Sequence, residues 1–149
     1  MRFQLLGPLD VDNRTAIGPI EMDAWVAEGV VEYLGQLADV RPAIVAADCI
    51  VLPSYREGMP RTLLEVAGMG RPLIATNVAG CREVVEDGVN GMLCRVRDAE
   101  DLAAKIISMV NLGPCLRAKM GAAGRRKVEQ EFDQAIVIEA YRKAISGFS

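Results

Sequence analysis

The sequence predicts an α/β fold, a Rossmann-like parallel sheet flanked by helices, and three observations predict it. Short apolar β-type runs alternate with stretches of helical composition through residues 1–97, the pattern of strands joined by crossover helices. The composition, 51% hydrophobic and 25% charged over 149 residues, belongs to a folded chain rather than a disordered one. From residue 98 onward the strand signal stops and helical periodicity alone remains. The expectation is a single domain over 1–149, with an alternating part at 1–97 and a helical part at 98–149. A chain of this length can bury roughly 70% of its unfolded surface in one core.

The strands are expected at 2–6 (RFQLL), 31–34 (VEYL), 49–53 (CIVLP), 72–76 (PLIAT) and 91–95 (GMLCR). Helical composition lies between them, at 23–28, 40–47, 60–69 and 81–86. Asp98 then supplies an N-cap for a helix whose apolar residues Leu102, Ile106, Met109 and Val110 recur at helical spacing, and Gly113-Pro114 ends it. Two more helices are expected, at 114–131 and 133–146, with no strand after them.

Composition also excludes. A net charge of −3 and a pI near 5.1 leave no basic footprint for nucleic acid or an anionic membrane. The basic residues Arg117, Lys119, Arg125, Arg126 and Lys127 are followed directly by Glu129 and Glu131, as on a solvated helix face. There is no histidine, which removes imidazole triads, histidine metal sites and a histidine general base. Cys49, Cys81, Cys94 and Cys115 are too widely separated to form a zinc-ligand pair and read as reduced thiols. No uncharged apolar run reaches the ~18 residues of a membrane span and no signal-peptide pattern opens the chain, so the expected compartment is the cytoplasm.

One stretch carries chemistry. SYREGMPRTLLE, residues 54–65, falls between a strand's carboxyl end and a helix, where open α/β sheets bind ligands. Pro60 is expected at the first helical position, with its fixed φ and no wasted N–H. The free amides of Arg61, Thr62 and Leu63 then face outward at a helix amino end, where the dipole favours an anion such as phosphate. Gly58 lets backbone approach closely, and Glu57 and Glu65 border the same crevice. A carboxylate accepts two hydrogen bonds from neighbouring hydroxyls of one ring, so two of them beside an anion site fit a phosphate with a sugar on each side. A glutamate at a helix start also has a plain electrostatic reason to be there, the dipole itself.

The segment AADCIVLPSYREGMPRTLLEVAGMGRPLIATNVAGCREVVEDGVNGMLC resembles the carboxyl-terminal domain of GT-B glycosyltransferases of the retaining family 4 group, whose hallmark is E-x7-E, here Glu57 and Glu65. The resemblance covers nearly the whole chain. It implies the donor-binding half of an enzyme that moves a sugar from a nucleotide diphosphate, UDP favoured, to a glycan or lipid-linked acceptor. By the same resemblance Glu57 is the catalytic-site carboxylate that contacts the donor sugar and Glu65 holds the ribose diol. Backbone at Gly58 and Met59 approaches the sugar, the Thr62 and Leu63 amides cradle the diphosphate, and Leu34-Gly35 borders the base. Leu34-Gly35 has a second reading as a simple strand end. The loop 78–83 reads as a helix entry with Gly80 beside the crevice.

The family needs no cofactor, its helix dipole and basic side chains stabilising the leaving diphosphate, and no metal is expected. Asp10-Val11-Asp12 has the D-x-D form of a different glycosyltransferase architecture, but it follows Leu6-Gly7-Pro8 in a loop that varies in this family. The family precedes the strand matching RFQLLG with a further strand and helix bearing an Arg and a Lys that clamp the diphosphate. The chain is therefore expected to lack the first βα unit and the amino-terminal domain, and to be inactive alone. Membrane association is expected to be peripheral, at the inner membrane, through that absent half. The alternative is an independently expressed remnant, a weak nucleotide-sugar binder or assembly module, and a nucleotide-sugar epimerase is a third reading. Loss of the central strand leaves sheet edges that a homodimer would pair.

Overall fold

The computed structural model describes residues 1–9 and 16–133. Asp10-Val11-Asp12 and, beyond Asp133, the helix expected at 133–146 lie outside the described residues. The element order is β1 (Gln4–Leu5), α1 (Pro19–Ala27), β2 (Glu32–Tyr33), α2 (Arg41–Ala46), β3 (Ile50–Leu52), α3 (Arg61–Gly68), β4 (Leu73–Thr76), α4 (Ala79–Val84), β5 (Gly91–Cys94), α5 (Ala99–Asn111) and α6 (Gly113–Glu131). The alternation expected from sequence is present, and the chain divides into two compact units, Met1–Arg41 and Pro42–Ser149.

In the first unit β1 and β2 pair in parallel, Gln4 opposite Glu32 and Leu5 opposite Tyr33. The crossover helix α1 starts at Pro19 with Gly18 as its extended N-cap, four residues ahead of the expected start, because Pro19 brings the φ of a first helical residue. Gly29 takes φ 70° just past its end, the left-handed conformation that closes helices.

In the second unit β3, β4 and β5 form a parallel sheet in that order, with Ile50 opposite Leu73 and Leu73 opposite Gly91. All four β4 residues are buried, as a central parallel strand covered on both faces requires. Ile74, Met109 and Met120 form a core cluster against which Val51, Met92, Leu102 and Ile106 pack. On α3 the buried residues are Leu63, Val66 and Ala67, one stripe at helical spacing. A β-carbon at Gly121 would overlap the Gly70 carbonyl, so α6 lies against the α3–β4 turn only because that position has no side chain.

Asp98 caps α5 as expected, its carboxylate accepting from the Asp101 amide at 2.8 Å, and Gly113 turns the chain into α6 at φ 72°. The buried Asn90 is satisfied at both ends, accepting from the Glu86 amide at 2.7 Å and donating to the Val84 carbonyl at 2.9 Å. The helix expected at 81–86 begins two residues earlier, Val78 being its extended N-cap. Among the described residues no helix is long and apolar enough to cross a membrane.

Candidate functional site

Residues 54–60 form the turn between β3 and α3, at the carboxyl edge of the three-stranded sheet. Pro60 is buried and stands as the N-cap with φ −73° and ψ 114°. Its extended ψ puts it outside the helix, one place before the position expected from sequence, and α3 begins at Arg61. The Leu63 amide donates to the Pro60 carbonyl at 3.0 Å, so the expectation of a free Leu63 amide is corrected: the first turn tightens and consumes it. Among the described residues the Arg61 and Thr62 amides have no such acceptor and are the two outward donors. The Leu63 side chain is fully buried.

Arg61, Thr62 and Glu65 are exposed and lie on the outer face of α3. Glu57 is half-buried, and its Oε1 accepts from the Ser54 hydroxyl at 2.6 Å. That bond fixes one carboxylate oxygen and leaves Glu57 lone pairs for other donors. Gly58 and Met59 are exposed at the tip of the turn. Thus Glu57, Gly58 and Met59 lie in the turn that leads into α3, Thr62 in its first turn, and Glu65 about one turn into the helix on its exposed side. Gly35 lies in the first unit, where it ends β2 at φ 70° and its carbonyl accepts from the Gly7 amide at 3.0 Å.

Two residues from later strand exits stand beside the turn: Arg97, which the sequence does not mark, and Gly80, which it places beside the crevice. Arg97, just past β5, is among the described residues the non-glycine residue with positive φ, 57°, and its guanidinium lies 5.2 Å from the Tyr55 ring centroid, a cation–π contact. Gly80, in the first turn of α4, stands so close that a β-carbon there would fall within the Gly58 carbonyl group and 2.7 Å from the Glu57 carbonyl oxygen. Beside it Cys81 is fully buried; burial pushes its thiol above the ordinary range and the Glu57 carboxylate pushes it further. No sequence signal marks Arg97, since a left-handed conformation at a bulky residue breaks local preference.

A cavity of about 310 Å³ lies away from this turn, at the amino ends of β3 and β4, lined by Asp48, Arg71, Arg117 and Arg125 among others. Its cations are committed within the fold. Arg71 donates to the Val45 carbonyl, Arg117 to Asp48 at 3.2 Å and to the Val110 carbonyl at 3.0 Å, and Arg125 pairs with Glu129 at 2.8 Å.

Parallel strands covered by helices, with the E-x7-E turn at the carboxyl edge of the sheet, define the carboxyl-terminal domain of a GT-B glycosyltransferase. The chain belongs to the glycosyl transferases group 1 family, whose sequence profile matches residues 3–111. It is 30% identical over 119 residues to the N,N'-diacetylbacillosaminyl-diphospho-undecaprenol alpha-1,3-N-acetylgalactosaminyltransferase of Campylobacter jejuni, covering 80% of this chain and 31% of that protein. With the lipopolysaccharide core biosynthesis glycosyltransferase LpsE of Rhizobium meliloti it shares 28% over 142 residues, 95% of this chain and 41% of that one. The chain thus spans about a third of the length of the curated relatives it matches.

Among solved structures, sucrose-phosphate synthase from Thermosynechococcus elongatus superposes with a TM-score of 0.79 at 26% identity, covering 97% of this chain and 38% of that one. Anabaena HepE, solved in complex with UDP, superposes at 0.75 with 26% identity over 86% of this chain and 35% of that one.

Proposed function

We propose that the chain is the donor-binding part of a retaining glycosyltransferase that takes a sugar from a nucleotide diphosphate, UDP favoured, for a glycan or lipid-linked acceptor. The observation that supports this reading is the turn itself, which carries Glu57 into α3, leaves the Arg61 and Thr62 amides without a backbone acceptor, and is followed by exposed Glu65 about one turn along the helix. In this reading the Arg61 and Thr62 amides and the α3 dipole receive the diphosphate. Glu65 accepts from the ribose hydroxyls and Glu57, held by Ser54, accepts from the sugar. The UDP bound in the HepE structure supports uridine as the base, and the undecaprenol-linked acceptor in the Campylobacter enzyme's name supports a lipid-linked acceptor. Catalysis needs groups beyond these, since stabilising the leaving diphosphate takes preorganised charge on more than one side. The remainder of such an enzyme supplies the acceptor site and any peripheral membrane contact, and β3's outer edge pairs with a second chain.

A thermal-shift series with UDP, GDP and their sugars tests the site. Ligand at 100 times its dissociation constant raises stability by ~2.7 kcal/mol. Glu65→Ala should abolish the shift produced by the nucleoside diphosphate. Glu57→Ala should keep that shift and lose the extra part contributed by the sugar. The site assignment fails if both variants respond as the parent does.

A further inference from the structure

We propose that Gly80 is a positioning residue for Glu57: its missing side chain is the seat on which the acidic turn rests, and it sets the sugar end of the crevice without touching the nucleotide end. The inference rests on the reading of Glu57 as the sugar-facing carboxylate and extends it to α4, which belongs to a different crossover from the motif.

Gly80 is buried. Unlike Gly29, Gly35, Gly70, Gly88 and Gly113, it does not have the positive φ that demands glycine; what the position demands is space. A β-carbon there would fall within the Gly58 carbonyl group and 2.7 Å from the Glu57 carbonyl oxygen. Both obstacles are backbone, so no rotamer relieves them and the turn itself must retreat. A displacement of ~1 Å is enough to cost about 10²-fold at a positioned group. The nucleotide end stands apart from this movement, because Leu63, Val66 and Ala67 anchor α3 in the core and carry the Arg61 and Thr62 amides and Glu65 with them. Cys81, adjacent to Gly80, feels the Glu57 charge, which agrees with the carboxylate lying against α4.

The test compares Gly80→Ala with Gly121→Ala, whose β-carbon overlaps the Gly70 carbonyl and so perturbs packing elsewhere. Affinities for UDP, GDP, UDP-glucose, UDP-N-acetylglucosamine and GDP-mannose are measured by titration calorimetry on the 149-residue chain. In Gly80→Ala the nucleoside diphosphate should bind within ~2-fold of the parent while the sugar's added affinity disappears. In Gly121→Ala any loss should fall on both alike. A Gly80→Ala chain that keeps the sugar's contribution, or loses sugar and nucleotide together, overturns the proposal.

A second measurement needs no variant: nuclear Overhauser contacts from the Gly80 α-protons to Gly58 or Met59 in the parent chain report the seat directly, and their absence overturns it even if Gly80→Ala does not fold. Should the parent bind nucleotide-sugars no better than the nucleotides, the sugar-facing role of Glu57 falls, while the Overhauser contacts still decide the seat.

Discussion

At the residue scale Glu57 is held from two sides, its Oε1 accepting from the Ser54 hydroxyl at 2.6 Å and its turn's backbone lying against Gly80. Gly58 and Pro60 between Glu57 and Glu65 mark a helix start in the sequence, and the resemblance to the E-x7-E motif is what pairs the two carboxylates. The Ser54 hydroxyl on Glu57 is local to the turn, but the Gly80 seat and the Arg97–Tyr55 contact arise only where the exits of β3, β4 and β5 meet, and no local pattern encodes that closeness. Cys49 shows the same limit. Its apolar setting pointed to a reduced thiol, and burial pushes its pKa from 9.0 to about 12, Arg117 pulling back and Asp48 adding to the rise. A thiol that keeps its proton longer in the folded state makes stability fall as pH rises between those two values, by at most about 1.4 kcal/mol per pH unit. Below pH 9 that contribution is fully present. Urea unfolding at pH 8 and pH 10.5 should therefore show a larger loss in the parent than in Cys49→Ala, and equal losses would exclude the effect.

At the element scale the sequence located each described strand to within two residues, because short apolar or alternating runs bounded by Gly, Pro and charged residues mark strands well. Helix starts slipped more. The α1 start moved to Pro19, α4 to Ala79, and Pro60 became a cap instead of a first helical residue. Each is decided by ψ at one residue, which composition does not fix. Pairing carries the more consequential information: β1 bonds to β2, while β3 bonds to β4 and stands at the edge of its sheet among the described residues. Ile50, Val51 and Leu52 bear no charge or proline that would blunt this edge, and only its short length and the adjacent Pro53 discourage pairing. Two copies of the edge can satisfy each other about a two-fold axis. Light scattering behind a sizing column should give twice 16.1 kDa at high micromolar concentration, and a monodisperse 16.1 kDa species would rule out the pairing.

At the scale of the whole molecule, stability is unevenly distributed between the two compact units. In the first unit Met22 is the buried apolar residue among those described, while Phe3, Leu6, Ile20, Val26, Val30 and Leu37 are exposed. The second unit buries Leu63, Val66, Leu73, Ile74, Val84, Val85, Met109 and others, with β4 sealed on both sides. At roughly 25 cal/mol per Å² of apolar surface removed from water, the driving force concentrates in the second unit. A 41-residue segment is at the size where a lone hydrophobic core seldom suffices. Native-state hydrogen exchange should resolve the difference. The Glu32 and Leu34 amides, bonded across β1–β2 at 2.9 Å, should exchange well over ~10-fold faster than those of Ile74 and Ala75, a tenfold ratio corresponding to about 1.4 kcal/mol. Equal protection in the two sheets would mean that the chain opens only as one cooperative body. A difference would make the first unit the part that opens first, and the acidic turn would stay folded on β3, β4 and α4 while it does so.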